Sequence, residues 1–183
     1  VVEESPREPT GYLYGIRENK KVILFNAFPI QTAVRKPTEV SYGNGAAIER
    51  LRKLDEVTCS NKKSGTSLIG GYHGHGPETL NKLTRGKHSD LDFITTEEMI
   101  PRNLDSWIEI ILQTEQKEYE RAMQVREFVK QYEKRIVTRI QDEPYHSYRI
   151  TFSAHLINKN MIVREIKLRK LTKADLRRSL SKS

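Results

Sequence analysis

The sequence predicts a mixed α/β fold, a central mixed β-sheet flanked by helices, with a long inserted helix and a basic C-terminal helix. Three observations carry this. Short alternating apolar segments bounded by turn residues occur near both ends of the chain, the pattern of paired strands. Between them, Glu115 to Gln141 has an apolar stripe of Tyr119, Ala122, Met123, Val129, Ile136, Val137 and Ile140 among charged residues, which reads as an amphipathic helix. The order of elements (strands, helix, strand, loop, strand, long helix, two strands, helix) lacks the regular alternation of a doubly wound βαβ protein.

Taken in order, Gly11 to Gly15 and Lys21 to Phe25 read as strands around the polar turn Arg17 to Lys20, hence a hairpin. Asn26 to Pro29 is expected to break it, and Gln31 to Val34 to continue extended. Gly43-Asn44-Gly45 opens a helix over 46–54, where Ala47, Ile48, Leu51 and Leu54 recur at helical spacing. Thr66 to His73 is a short strand running into glycines, Gly74 to His88 a loop, and Thr95 to Met99 a short helix before Pro101. The apolar run Ser106 to Leu112 predicts a buried strand with Trp107 in the core, and Pro144 ends the long helix. Tyr148 to Leu156 and Met161 to Leu168 alternate as two strands joined by Asn158-Lys159-Asn160. Thr172 to Leu180 closes with a helix, Thr172 and Asp175 resembling a capping box.

The length of 183 residues suits one domain, placed at residues 1–171, followed by the basic segment 172–183. No stretch approaches the roughly 18 consecutive apolar residues of a transmembrane helix. The opening VVEESPREPTG has no basic-then-apolar pattern, so no secretory signal is expected there. Cys59 is the single cysteine, which excludes a disulfide framework and points to a reducing, cytoplasmic compartment. The net charge is +8, and Ile166 to Ser183 carries +6 of it, seven Lys or Arg against Asp175. That segment has no aromatic residue to stack on bases, so nucleic-acid binding is not expected as the main function.

The segment that carries chemistry is Gly70-Gly71-Tyr72-His73-Gly74-His75-Gly76-Pro77. Two histidines at i and i+2 on a strand end point to the same side. Neutral imidazoles so placed bind one zinc ion at about 2.0–2.1 Å each, and a catalytic zinc takes a third protein ligand and an open position. Downstream, Ser89-Asp90-Leu91-Asp92 offers carboxylates and a hydroxyl. The glycines leave room for a substrate backbone to approach.

His73-Gly74-His75 followed by Ser89-x-x-Asp92 resembles the signature of the JAMM, or MPN-plus, zinc metalloproteases. That signature also has an upstream Glu-x-x-Gly-x-Leu-x-Gly, which Glu8 to Gly15 matches at every fixed position. The apolar run before Asn26-Ala27-Phe28-Pro29 and the segment 46–54 are similar to the family's next strand and helix, so the resemblance spans roughly Glu8 to Leu112. Gly74 and Gly76 stand where the family usually has Ser or Thr and Pro, and the gap between His75 and Ser89 is longer than usual. An insertion over Gly76 to His88 accounts for that gap and costs little in a loop. Asp90 is the alternative to Asp92, but it would put Lys87 where the serine belongs.

The resemblance implies a zinc-dependent isopeptidase. His73, His75 and Asp92 would hold one Zn²⁺, with a water of lowered pKa in the fourth position. Glu8 would be the general base and Ser89 the donor to the oxyanion. The implied substrate is the amide after the C-terminal Gly-Gly of ubiquitin or a ubiquitin-like modifier, bound by strand addition. A stand-alone enzyme and a subunit of a proteasome-like assembly both stay open. So do a metal-free scaffold on the same fold and a zinc hydrolase processing a sulfur-carrier-type small protein. Glu39, His88, His146, His155 and Cys59 read as surface or structural residues.

Overall fold

The computed structural model describes residues 10–18, 21–29, 34–36, 39–41, 53, 66–75 and 105–172. They form ten strands: β1 (Thr10–Glu18), β2 (Lys21–Pro29), β3 (Val34–Lys36), β4 (Glu39–Ser41), β5 (Ser67–His75), β6 (Ser106–Glu118), β7 (Phe128–Gln131), β8 (Arg135–Glu143), β9 (His146–Asn158) and β10 (Val163–Ile166). Eight make one curled sheet in the order β2-β1-β5-β6-β9-β8-β7, with β10 also on β9, and β3 pairs with β4 apart from it. Only β5 and β6 are parallel among these pairs; the rest are antiparallel.

This corrects the expected fold class. The described residues are nearly all strand, and Lys53 alone has helical backbone. The long helix over 115–141 does not exist. Its first residues, Glu115 to Glu118, extend β6 and pair with Arg149 to His146 of β9. Its last ones form the β7–β8 pair, Phe128 to Gln131 against Arg139 to Ile136. Two physical effects outweigh the apparent helical stripe. Ile136, Val137, Thr138 and Ile140 are β-branched and fit a pleated surface better than a helix. The β9 strand also offers a continuous template that β6 fills over 13 paired residues, with cross-strand partners such as Glu115 and Arg149 at 3.4 Å. Pro144 and Tyr145 form the turn between β8 and β9, not a helix end. The helices expected over 46–54, 95–99 and 172–180 fall outside the described residues, save Lys53 and Thr172.

The paired strands stand where alternation predicts them, although β2 continues through Asn26 to Pro29. The β9–β10 connection is held by Asn158, whose Oδ1 accepts from the backbone N–H of Asn160 at 3.0 Å and of Ile162 at 2.9 Å. Met161 takes the left-handed conformation there, at φ 57°. No helix among the described residues is long and apolar enough to cross a membrane.

The sheet buries different side chains on its two faces. Leu13, Ile69, Ile108, Ile110, Leu112, Ile150 and Ala154 pack on one, joined by Tyr72, Phe152 and Leu156. Tyr12, Tyr14, Leu68, Trp107 and Ile157 pack on the other. A bulge in β5 decides what shares the second face. Leu13 pairs with Gly70 and Tyr14 with Leu68, so Ile69 is the extra residue. The extra residue shifts the alternation, which brings Leu68 and His73, five residues apart, to the same side. Arg17 braces the bulge, donating from Nη2 to the Ile69 carbonyl at 3.0 Å and to the Ser106 carbonyl at 2.7 Å.

Candidate metal centre

Both histidines of the predicted pair lie at the carboxyl end of β5, and both are buried at 8% exposure. Strand alternation puts them on one face. Their Nε2 atoms stand 3.2 Å apart, and the two rings are perpendicular at 88°. The other nitrogen of His73, Nδ1, lies 2.7 Å from Oε1 of Glu109. Glu109 comes from β6, where Gly71 and Ile111 mark its level against β5 through the pairs Gly71–Glu109 and His73–Ile111.

Glu109 is a carboxylate at 3% exposure in the otherwise apolar run Trp107 to Leu112. A buried charge needs partners, and Glu109 has them: its second oxygen, Oε2, accepts from the indole N–H of Trp107 at 2.7 Å. Gly71 makes the space. A Cβ there would sit 3.0 Å from Cζ2 of Trp107 and 3.2 Å from Oε2 of Glu109. Across the sheet, His155 of β9 is the register partner of Glu109, and Ser153 that of Ile111. Both are buried, so the polar band continues over β5, β6 and β9.

The carboxylate is felt by its neighbours. The Tyr12 phenol is pushed up to about 12, chiefly by burial and further by the negative charge of Glu109. Burial holds His155 below its ordinary value and outweighs Glu165 and Glu109, which pull it upward, while His73 and Arg135 add to the lowering.

The arrangement can be tested for zinc. Two nitrogens each about 2.0–2.1 Å from one ion at a tetrahedral angle lie roughly 3.3 Å apart. The observed 3.2 Å fits. The donor types fit as well, since imidazole is a common zinc ligand and a carboxylate behind it is the usual outer partner. Among the described residues, no group of three or more His, Cys, Asp or Glu is arranged to hold a metal ion. Glu109 reaches the far nitrogen of His73 and not the point between the rings. Glu8, Ser89, Asp90 and Asp92 lie outside the described residues.

Sequence reasoning missed Glu109 and the hydrogen bond of Trp107. The available signal was one carboxylate inside an apolar strand, a placement that nearly always requires a buried partner. His155, read as structural or surface, is a buried strand residue; His146 is also in β9, near Glu143 at 3.5 Å and partly exposed.

No family model matches this chain, and no curated protein does. Among solved structures, it is similar to the protein DSY2949 of Desulfitobacterium hafniense, a structural genomics target. The two share 17% identity over 94% of this chain and 85% of that one, at a TM-score of 0.49.

Proposed function

We propose that this protein is a zinc-dependent isopeptidase that hydrolyses the amide bond after the C-terminal Gly-Gly of ubiquitin or a ubiquitin-like modifier. The observation that carries the reading is the buried His73–His75 pair, with Nε2 atoms 3.2 Å apart. In this reading His73, His75 and Asp92 hold the ion. When bound, zinc supplies a Lewis acid and lowers the pKa of water toward about 7. Glu8 accepts the proton of the attacking water and delivers it to the leaving amine. Ser89 donates its hydroxyl hydrogen to the oxyanion that forms on the scissile carbonyl.

Two features of the sheet support these assignments. Thr10, two residues after Glu8, pairs with His73, so β1 leads away from the histidine pair. The parallel β5–β6 pairing requires a crossover from the carboxyl end of β5, and Ser89 and Asp92 belong to that connection.

The test is cleavage of a reporter fused after a Gly-Gly tail. Activity should vanish with a chelator and return with zinc. Glu8→Gln should keep its zinc and lose about 10²–10⁴-fold in turnover, the usual share of a positioned acid–base group. Cleavage that ignores the chelator, or a Glu8→Gln variant as fast as the parent, would refute the proposal.

A further inference from the structure

We infer that Glu109 is a positioning residue that sets the tautomer of His73, and that Trp107 holds it in place. The consequence for metal affinity rests on the zinc reading above; the tautomer does not. A carboxylate only accepts hydrogen bonds. The Nδ1 of His73, 2.7 Å from Oε1 of Glu109, therefore carries a hydrogen. In the neutral ring this leaves the lone pair on Nε2, the atom that faces His75 at 3.2 Å. With the opposite tautomer, a hydrogen on Nε2 would occupy the direction a cation needs.

The carboxylate is itself fixed. Its two oxygens accept from two different rings, each at 2.7 Å, within the range of charge-assisted hydrogen bonds. It cannot turn without losing one of them. Gly71 of β5 leaves the room this requires, since a Cβ there would press on Oε2 at 3.2 Å. Burying a carboxylate carries a desolvation cost that its partners must offset, so an apolar residue would serve the strand alone at least as well. A glutamate here gains its value through the imidazole it orients.

Glutamine is the informative replacement, because its amide has one acceptor and two donor hydrogens. The amide oxygen can satisfy the Trp107 N–H or the His73 Nδ1–H, not both. With the oxygen on Trp107, the amide NH₂ faces Nδ1 and favours the Nε2–H tautomer. Replacing Trp107 as well, in Trp107→Phe/Glu109→Gln, frees the oxygen to turn back toward His73.

The experiment reads the His73 tautomer by ¹⁵N–¹H long-range NMR in the chelator-treated full chain, and zinc affinity by competition with a chromophoric chelator. The parent should show Nδ1–H at His73. Glu109→Gln should move population to Nε2–H and weaken zinc binding by about 10–100-fold, the usual effect of losing an outer partner of a ligand. The double variant should recover part of both. An Nε2–H tautomer in the parent overturns the inference, and this measurement needs no variant to fold. An unchanged tautomer in Glu109→Gln also overturns it. A parent that binds no zinc, with the tautomer still shifting in Glu109→Gln, upholds the role of Glu109 and overturns the isopeptidase reading.

Discussion

Replacing Trp107 with Phe removes one hydrogen bond from the centre of the site and part of the packing around it. Trp107 is fully buried, and its N–H donates to Oε2 of Glu109 at 2.7 Å. A hydrogen bond to a charged group contributes about 1.5–3 kcal/mol. The smaller ring leaves roughly 40 Å³ unfilled, which at about 24 cal/mol per Å³ adds about 1 kcal/mol. The edge-on contact with Tyr12, at 6.3 Å between centroids, weakens as well, and such pairs contribute about 0.5–1.5 kcal/mol. The sum is about 3–5 kcal/mol, a large share of the 5–15 kcal/mol typical of a domain. Urea unfolding of parent and variant should show that loss as a lower midpoint with an unchanged slope. In the Trp107→Phe background Glu109→Gln should cost less than in the parent, because the donor competing for the amide oxygen is gone. A destabilisation below about 1 kcal/mol, or strictly additive costs, would show that the hydrogen bond is not a working part of the site.

Further outcomes follow from the same geometry. Tyr12 has its pKa raised from 10.0 to about 12, so its contribution to stability is complete below about pH 10 and is lost as pH climbs toward about 12. The raised value corresponds to about 2–3 kcal/mol; between about pH 9 and about pH 12 the urea midpoint should therefore fall less in Tyr12→Phe than in the parent, and equal pH dependence would count against it. Gly70→Ala would drive its Cβ into the backbone carbonyl of Ile108, where no side chain can yield. Overpacking of this kind costs about 1–3 kcal/mol or more, and because β5 and β6 must part, zinc affinity should fall too; a variant of parental stability would contradict the β5–β6 pairing. Gly71→Ala has as its nearest neighbours the ring of Trp107, a Glu109 oxygen and the Gly11 carbonyl, at 3.0–3.2 Å, against 1.9 Å at Gly70, and should therefore be milder than Gly70→Ala in the same unfolding assay.

What the sequence discloses here follows from how local each signal is. The β1–β2 and β9–β10 hairpins are legible from alternating apolar residues in neighbouring segments, and Asn158 marks the second connection. The buried strand beginning at Ser106 is legible from its aliphatic run. The segment from Glu115 to Gln141 is not, because its state depends on β9, which lies later in the chain. Its apolar residues satisfy helical spacing by coincidence, while pairing with β9 and β7 decides the outcome. The bulge at Ile69 is equally hidden: the run Leu68-Ile69-Gly70-Gly71 has no alternation in which a phase shift could show. The histidine pair is legible since i and i+2 on a strand converge whatever the rest of the fold. Glu109 is not, since its partner His73 is 36 residues away and only the parallel β5–β6 pairing joins them.

The most direct test of the account is the zinc content of the purified chain, measured alongside that of His73→Ala/His75→Ala. Two buried imidazoles with Nε2 atoms 3.2 Å apart predict about one zinc per parent chain, removed by the double substitution while strand content by circular dichroism is kept. A parent that takes up no zinc from solution, or a folded double variant that retains all of it, would contradict the claim that this pair is a metal centre.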